Sequence, residues 1–201
     1  VRPFFIFPSK SSVSEIAEAI QQARIAMSKN DFEASQRLIN DALQSEPDNF
    51  EARYTLAVLY RAQGQHHDAK KLLITLLTEQ PEFGRGFQEL GFCELALKRE
   101  PSAIQAFQQA VEADGSLIDS WRVLVTGYER SNDPRAEQAT QQLDFLTALP
   151  NELRTVISYL SANRLGDAER LCRYFMQQNK THIEGMRLMA EIATRTGVFD
   201  D

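Results

Sequence analysis

The sequence predicts an all-α chain of stacked antiparallel helix pairs, and two observations predict this class. One pattern occurs twice within residues 48–115, with Leu56 matching Leu90 and Ala69 matching Ala103, each 34 residues apart. Inside each copy, apolar residues recur at the three- and four-residue spacing of an amphipathic helix. Because the two periods agree, we interpret each copy as one helix pair that buries its apolar face by stacking on its neighbours.

Small and large residues occupy fixed places in the two copies, as close packing of helices requires. Small side chains let helix backbones approach one another, and large side chains fill the space that remains. The small positions are Ala57, Ala69, Gly91 and Ala103, and the large ones are Leu56, Tyr60, Leu73, Phe87, Leu90 and Phe107. We interpret all of them as core residues.

The same positions match the pattern of a known family. The copies read Arg53-x2-Leu56-Ala57-x2-Tyr60, Ala69-x3-Leu73 and Pro81, and Phe87-x2-Leu90-Gly91-x2-Glu94, Ala103-x3-Phe107 and Gly115. This pattern resembles the tetratricopeptide repeat (TPR), a helix pair with a period of about 34 residues. The resemblance implies a right-handed TPR α-solenoid in which the first helix of each pair lines a concave groove.

The period divides the chain into an N-terminal arm, residues 1–11, and a solenoid, residues 12–201. The predicted units are 12–47, 48–81, 82–115, 116–149, 150–180 and a half unit, 181–201. The last unit stops where a partner helix should begin, so we expect the sequence to be a fragment of a longer chain. The arm carries Phe4-Phe5-Ile6-Phe7, which we expect to pack against the first helices or a second chain. An artificial extension is the alternative origin of this arm.

Helix start and stop signals give the elements of the first three units. Residues 12–15 read as a capping box, S-x-x-E, that begins a helix running to about Lys29. A second helix is predicted from about Phe32 to Ser45. Gly64 should end the next helix in the left-handed conformation, and Glu100-Pro101 should begin the second helix of the third unit, since proline is tolerated in a first turn.

The later units follow the pattern less closely. Trp121-x2-Leu124-Val125-x2-Tyr128 matches the family pattern, and Pro134 is predicted to begin the following helix. The fifth unit is shorter, with an apolar stripe at Leu153, Val156, Ile157 and Leu160. Residues 181–184 read as a second capping box, which predicts a last helix ending at Gly197.

Composition excludes several functional classes. The 201 residues carry a net charge of −6, which is not typical of a nucleic-acid-binding module. No apolar run approaches the roughly 20 residues of a membrane span. Cys93 and Cys172 are far apart, which suits small buried hydrophobes in a reducing compartment, so a cytoplasmic location is predicted.

Motifs for catalysis, cofactors or metals are missing from the sequence. It has no phosphate-binding glycine loop, no dinucleotide fingerprint and no zinc-protease motif. The histidines are His66-His67 in a turn and His182 in the first turn of a helix, and we interpret all three as surface residues. We therefore predict no catalytic residue, no cofactor and no metal site in these 201 residues.

The groove that the family resemblance implies gives the candidate binding residues. Projection onto that geometry selects Ile20, Arg24, Met27, Tyr54, Val58, Arg61, Gln88, Phe92, Leu95, Arg122, Thr126 and Glu129. Such a surface, aromatic and aliphatic with arginines at its edges, suits an extended peptide or a helix of a partner protein. In carboxylate-binding TPR domains the corresponding places hold Lys, Asn and Arg; here they are Ile20, Arg24, Val58, Arg85 and Glu89, so that role is not predicted.

A second resemblance concerns the C-terminal part of the chain. Residues 149–153, 164–173, 182–193 and 197–201 are similar to the N-terminal TPR region of bacterial TPR-containing sulfotransferases. The resemblance implies a sulfotransferase domain beyond residue 201, and no catalytic residue can be assigned from it here.

Three hypotheses for function follow. The first is a non-catalytic scaffold that binds a protein or peptide in its groove. The second is an accessory domain of a sulfotransferase. The third is a self-association module, a homodimer formed through the N-terminal arm or the uncapped C-terminal helix.

Overall fold

The computed structural model describes residues 10–197 of the chain, and the side chains of residues 14–197. The described part contains eleven α-helices and no strand, which confirms the predicted all-α class. The aromatic cluster of the predicted arm lies outside the described residues. The helices are α1 (Lys10–Ser28), α2 (Phe32–Ser45), α3 (Phe50–Ala62), α4 (His66–Glu79), α5 (Gly84–Ala96), α6 (Glu100–Ala113), α7 (Ile118–Arg130), α8 (Arg135–Ala148), α9 (Asn151–Ser161), α10 (Leu165–Gln178) and α11 (Ile183–Thr196).

The chain divides into two compact units, Val1–Glu79 and Gln80–Asp201. The first unit contains α1 to α4 and the second contains α5 to α11. In each unit, consecutive helices pack as pairs: α1 with α2, α3 with α4, α5 with α6, α7 with α8, and α9 with α10. The division falls close to Pro81, the predicted end of the second repeat.

Each of the five pairs turns through the same backbone motif. The second residue after the C-cap of the first helix donates its backbone N–H to a carbonyl in the last turn of that helix. Examples are Asp31 N to Ala26 O at 2.9 Å and Gln65 N to Tyr60 O at 2.8 Å. The residue before that donor has a positive φ, which is the Schellman arrangement. These residues are Asn30, Gly64, Lys98, Asn132 and Asn163, with φ of 59°, 78°, 59°, 53° and 52°.

The left-handed residues mark the repeat period directly. The first four are 34 residues apart and the last step is 31, which agrees with the prediction of a shorter fifth unit. Gly64 was expected in this conformation and is confirmed. Lys98 was not expected, because a side chain with a Cβ resists positive φ.

Most helix boundaries lie where the sequence predicts them. Helix α2 runs from Phe32 to Ser45 as predicted, and the Asp31 carboxylate caps it by accepting the Ala34 N–H at 3.0 Å. Pro101 lies in the first turn of α6. Gly197 ends α11 with a φ of 69°.

Both predicted capping boxes are wrong. Helix α1 begins at Lys10, so residue 12 lies inside the helix. No proline or glycine stands between Pro8 and Ser12 to stop the helix from extending backwards. At α11 the N-cap is His182 and not Thr181: its imidazole Nδ1 accepts the Gly185 N–H at 3.3 Å, and its ring meets the Phe175 ring edge-on at 5.1 Å. The sequence interpretation of His182 as an ordinary surface residue is corrected by these contacts.

The cores confirm the predicted alternation of small and large residues. In the first unit, Ala23, Ile39 and Leu59 are fully buried together. In the second, Phe107 is fully buried, and a Cβ built at Gly91 would come within 2.7 Å of its ring. Ile20 is 5% exposed and belongs to the core, so its predicted place in the groove is wrong.

Candidate partner-binding surface

In the first unit, side chains join the neighbouring first helices of two pairs. Arg24 of α1 donates to Glu51 Oε2 at 2.5 Å and to Thr55 Oγ1 at 3.2 Å, both on α3. The charge of this predicted groove residue is therefore satisfied within the unit. Tyr54, Val58 and Arg61 of α3 are half-buried. Their spacing of four and three residues places them on one face of the helix.

In the second unit, the equivalent contact between first helices is neutral. Ser120 of α7 donates its hydroxyl to Gln88 Oε1 of α5 at 2.9 Å. Phe92 is half-buried, with its ring edge-on to Phe107 at 5.1 Å. This contact joins Phe92 to the fully buried Phe107 of the core.

Four predicted residues of the second unit are exposed. Leu95 of α5 is 37% exposed, and Arg122, Thr126 and Glu129 are exposed on α7. Arg122 pairs with Asp119 at 2.9 Å, and Thr126 donates to the Arg122 carbonyl at 3.0 Å. Leu95, Arg122 and Thr126 border the smaller of two depressions on the faces of α5 and α7.

The larger depression, here the arginine cleft, has a volume of about 580 Å³ and opens where α5, α7 and α9 begin. The residues that define it are Arg85, Gln88, Asp119, Arg154, Ser158 and Arg164. Polar side chains dominate this lining, so the cleft suits a charged or hydrogen-bonding ligand.

Both carboxylates of the cleft are already satisfied. Asp114, which is 8% exposed, accepts from Ser116 N at 3.0 Å, Ser116 Oγ at 2.6 Å and Ser158 Oγ at 2.8 Å. Asp119 pairs with Arg122. Ser158 lies on α9, so Asp114 also ties the α6–α7 loop to that helix.

The arginines of the cleft differ in their partners. Arg164 binds Asp167, whose pKa it holds below the usual range chiefly by hydrogen bonding, and its guanidinium lies 4.5 Å from the centre of the Tyr159 ring. Arg154 donates to the Leu146 carbonyl at 3.2 Å and to the Asn151 amide oxygen, but to no carboxylate among the described residues. Arg85 is exposed and makes no hydrogen bond or ion pair within residues 14–197. Two guanidinium charges in the cleft therefore lack an anionic partner in the described part of the chain.

The smaller depression, here the leucine pocket, has a volume of about 310 Å³ between α5, α6 and α7. Its apolar lining comes from Leu95, Ile104 and Val123. Ile104 packs directly against Gly127, where a Cβ would come within 2.4 Å of Ile104 Cδ1. At its rim Arg130 pairs with Glu100 at 3.5 Å.

Arg154 was not predicted from the sequence as a binding residue. Arg85 was considered only as part of a carboxylate-binding site, a role that was not predicted for this chain. Arg154 is the fourth residue of α9, and the fourth residues of α3, α5 and α7 are Arg53, Phe87 and Trp121. The repeat pattern assigns that position to packing, so no signal in the sequence distinguishes Arg154. Extending the predicted groove to the fifth unit would have included α9, the first helix of that pair.

Metal-binding side chains do not cluster on the described part of the chain. Residues 14–197 contain no cluster of three His, Cys, Asp or Glu side chains arranged to hold a metal ion. Cys93 and Cys172 are buried and unbridged, and burial raises the pKa of the Cys172 thiol. Across the described helices, none is both long and apolar enough to cross a membrane.

Comparison with known proteins identifies the repeat type. Residues 26–88 match the family model described as tetratricopeptide repeat. Among curated proteins, no significant match is found.

Solved structures share the fold at low sequence identity. A thermophilic TPR protein of Thermus thermophilus is 18% identical, with a TM-score of 0.57 over 89% of this chain and 99% of that chain. A TPR protein from Parabacteroides merdae is 14% identical, with a TM-score of 0.55 over 92% of this chain and 75% of that chain. MamA (41-end) from Desulfovibrio magneticus is 19% identical, with a TM-score of 0.53 over 66% of this chain and 73% of that chain.

These likenesses confirm the TPR fold class and the repeat resemblance. They concern the fold alone, because each identity is below 20%. None of them bears on the C-terminal resemblance to sulfotransferases, so the accessory-domain hypothesis stays a prediction from sequence.

Proposed function

We propose that this chain is a non-catalytic protein-interaction module that binds a segment of a partner protein. The observation that carries the proposal is the pair of depressions on α5 and α7, which are the first helices of their pairs. Residues predicted from the repeat pattern as binding residues, among them Gln88, Leu95 and Arg122, line these depressions.

The two depressions together suit a peptide better than a small molecule. Both are open, and they differ in chemistry: polar side chains dominate the lining of the cleft, whereas the pocket combines an aliphatic part, Leu95, Ile104 and Val123, with polar residues at its rim. A peptide supplies both kinds of group along one backbone, and arginine is enriched among the interface residues that contribute most to binding. In the first unit, the face with Tyr54, Val58 and Arg61 is proposed as an additional contact.

The proposal is tested with two matched substitutions. Thr126 of α7 and Thr147 of α8 are both exposed, and each donates to the carbonyl four residues earlier, at 3.0 Å and 2.9 Å. Thr126→Arg places a long side chain at the leucine pocket, and Thr147→Arg makes the same change on a second helix of a pair. Both variants should keep the helicity of the parent chain in circular dichroism.

The readout is binding to an array of immobilised random peptides. We expect Thr126→Arg to weaken binding of the selected peptides at least tenfold and Thr147→Arg to leave it unchanged. Loss of binding in Thr147→Arg alone would place the binding face on the second helices of the pairs. An array on which no peptide binds the parent chain would refute the proposed function itself.

A specific observation also favours self-association as a second candidate. Near the C-terminal end of the described chain, three large apolar side chains are exposed: Tyr174 at 58%, Ile183 at 75% and Met186 at 47%. Sedimentation velocity at several concentrations should show a dimer that Ile183→Lys with Met186→Lys abolishes. A monomer at all concentrations would rule this candidate out.

A further inference from the structure

We infer that the partner segment is extended and presents an internal acidic side chain and a large apolar side chain three residues apart. The acidic group enters the arginine cleft and the apolar group enters the leucine pocket. This inference rests on the proposed function and names the chemistry of its ligand.

The spacing comes from α5 and α7, which line both depressions. On α5, Gln88 borders the cleft and Leu95 borders the pocket; on α7, Asp119 and Thr126 do the same. Each of these residue pairs is seven apart, which is two turns or about 10.5 Å along a helix. A segment extended in the polyproline II conformation advances about 3.1 Å per residue with three residues per turn, so side chains three residues apart point to the same side and span about the same distance.

The charge of the ligand follows from the groups that remain available. Arg85 and Arg154 have no carboxylate partner in the described chain, whereas Asp114 and Asp119 are satisfied by serine donors and by Arg122. A carboxylate between the two free guanidinium groups forms charge-assisted hydrogen bonds. A basic side chain would instead face two uncompensated positive charges.

The apolar position follows from the leucine pocket. Leu95 remains 37% exposed at its edge, and Ile104 and Val123 complete the aliphatic part of its lining. A leucine-sized group would cover these aliphatic surfaces and remove them from water, which is favourable. The pocket volume of about 310 Å³ leaves room for such a group.

The probe is a set of ten-residue Ser/Gly-based peptides with a fluorescent label and an amidated C-terminus. Each carries one Glu and one Leu, at separations from one to seven residues and in both orders. Fluorescence polarisation with the full 201-residue chain should show the tightest binding at a separation of three. A maximum at seven would indicate a helical ligand, and no dependence on separation would refute the two-point arrangement.

Substitutions in the cleft test the acidic contact. Arg85→Gln and Arg154→Gln should each weaken binding of the best peptide about tenfold. Changing the peptide Glu to Gln should cause a similar loss, and this loss should largely disappear in the arginine variants, because both changes remove the same contact. Arg187→Gln on α11 removes an equal charge from an exposed site with carboxylate partners and should have no effect.

Alternative sources of the charge give distinct results. A peptide with Lys in place of Glu that binds more tightly would overturn the inference. The same holds if a free C-terminus restores binding to the Gln peptide, since the carboxylate would then come from the chain end. In either case peptides still bind, so the proposed function survives.

A substitution that enlarges the leucine pocket tests the apolar contact without blocking the pocket. Val123→Ala should shift the preference of the chain from the Leu peptide towards a Phe peptide by about threefold or more, while dependence on the peptide Glu is unchanged. An unchanged preference would show that the apolar side chain binds elsewhere and would overturn the inference.

Discussion

Two arginines at the same place in the fold have different roles. Arg53 is the fourth residue of α3 and Arg154 is the fourth residue of α9. Each donates to a carbonyl in the segment before its helix, Arg53 to Asp48 O at 3.1 Å and Arg154 to Leu146 O at 3.2 Å. Arg53 also binds both oxygens of Glu79 at 2.6 Å. Arg154 has no such carboxylate within the described residues and lines the arginine cleft.

The difference shows that position in the repeat does not decide the role of a side chain. Trp121 occupies the same place on α7 and also bonds backwards, from Nε1 to the Gly115 carbonyl at 2.9 Å. All three side chains therefore connect the first turn of their helix to a carbonyl earlier in the chain. Only the arginine without an ion-pair partner keeps a charge available for a ligand.

The largest loss of stability is expected when Trp121, the aromatic residue at this position, is truncated. Trp121 packs against the cores on both sides of α7, and Trp121→Ala should lower the free energy of unfolding by about 2–3 kcal/mol. Urea denaturation followed by circular dichroism measures the change. Trp121→Phe is the control: it keeps most of the buried surface but not the hydrogen bond, and should cost about 1 kcal/mol. An equal loss in both variants would mean that the hydrogen bond dominates.

A smaller loss is expected at Arg53. Its side chain is 16% exposed and holds α3 to the end of α4 through Glu79. Arg53→Ala removes the ion pair and the packing of the aliphatic part of the side chain, and should destabilise the protein by about 1–2 kcal/mol. A midpoint of urea denaturation equal to that of the parent chain would show that the pair contributes nothing measurable.

The ion pair also predicts a dependence on pH. The hydrogen bond from Arg53, and then its charge, hold the pKa of Glu79 below its usual range. A carboxyl whose pKa is lowered by folding contributes stability that is complete above its pKa in the unfolded chain and is lost as the pH falls through its pKa in the folded chain.

We therefore compare the parent chain with Glu79→Gln across pH. The parent should be more stable at neutral pH, and the difference should shrink below about pH 4. Denaturation midpoints at several pH values between about 2 and 7 measure it. A difference that is independent of pH would exclude the ionised pair as its cause.

The smallest effect on stability is expected at Arg154. Arg154→Gln keeps a hydrogen-bond donor near Leu146 and breaks no ion pair, so the free energy of unfolding should change by less than about 0.5 kcal/mol. Thermal and urea denaturation beside Arg53→Gln give the direct comparison. A loss as large as that of Arg53→Gln would make Arg154 a structural residue and would weaken its assignment to binding.

Much of the fold could be predicted from the sequence because the repeat is dictated by local features. The bounds of α2, the turn at Gly64 and the start of α6 all depend on residues close to one another in the chain. Lys98 in the left-handed conformation was not predictable in this way. At Lys98, the turn that all five pairs share overrides the preference of lysine for a negative φ.

The binding surface was less predictable because it depends on distant contacts. Arg53 is neutralised by a residue 26 positions away and Arg24 by one 27 positions away, while Arg154 and Arg85 are not. Periodicity places these side chains on helices but does not reveal which charges find partners. Likewise, Phe92 was expected in the groove from its register, and its contact with Phe107 becomes visible only in three dimensions.

The most direct test of this account is the mapping of a bound peptide by NMR. The chain is labelled with ¹⁵N and titrated with the best peptide from the polarisation series, and amide shifts are followed. We expect the largest changes at residues 85–95, 116–126 and 151–158, which border the arginine cleft and the leucine pocket. Changes confined to α6, α8 and α10 would contradict the assignment of binding to the first helices of the pairs.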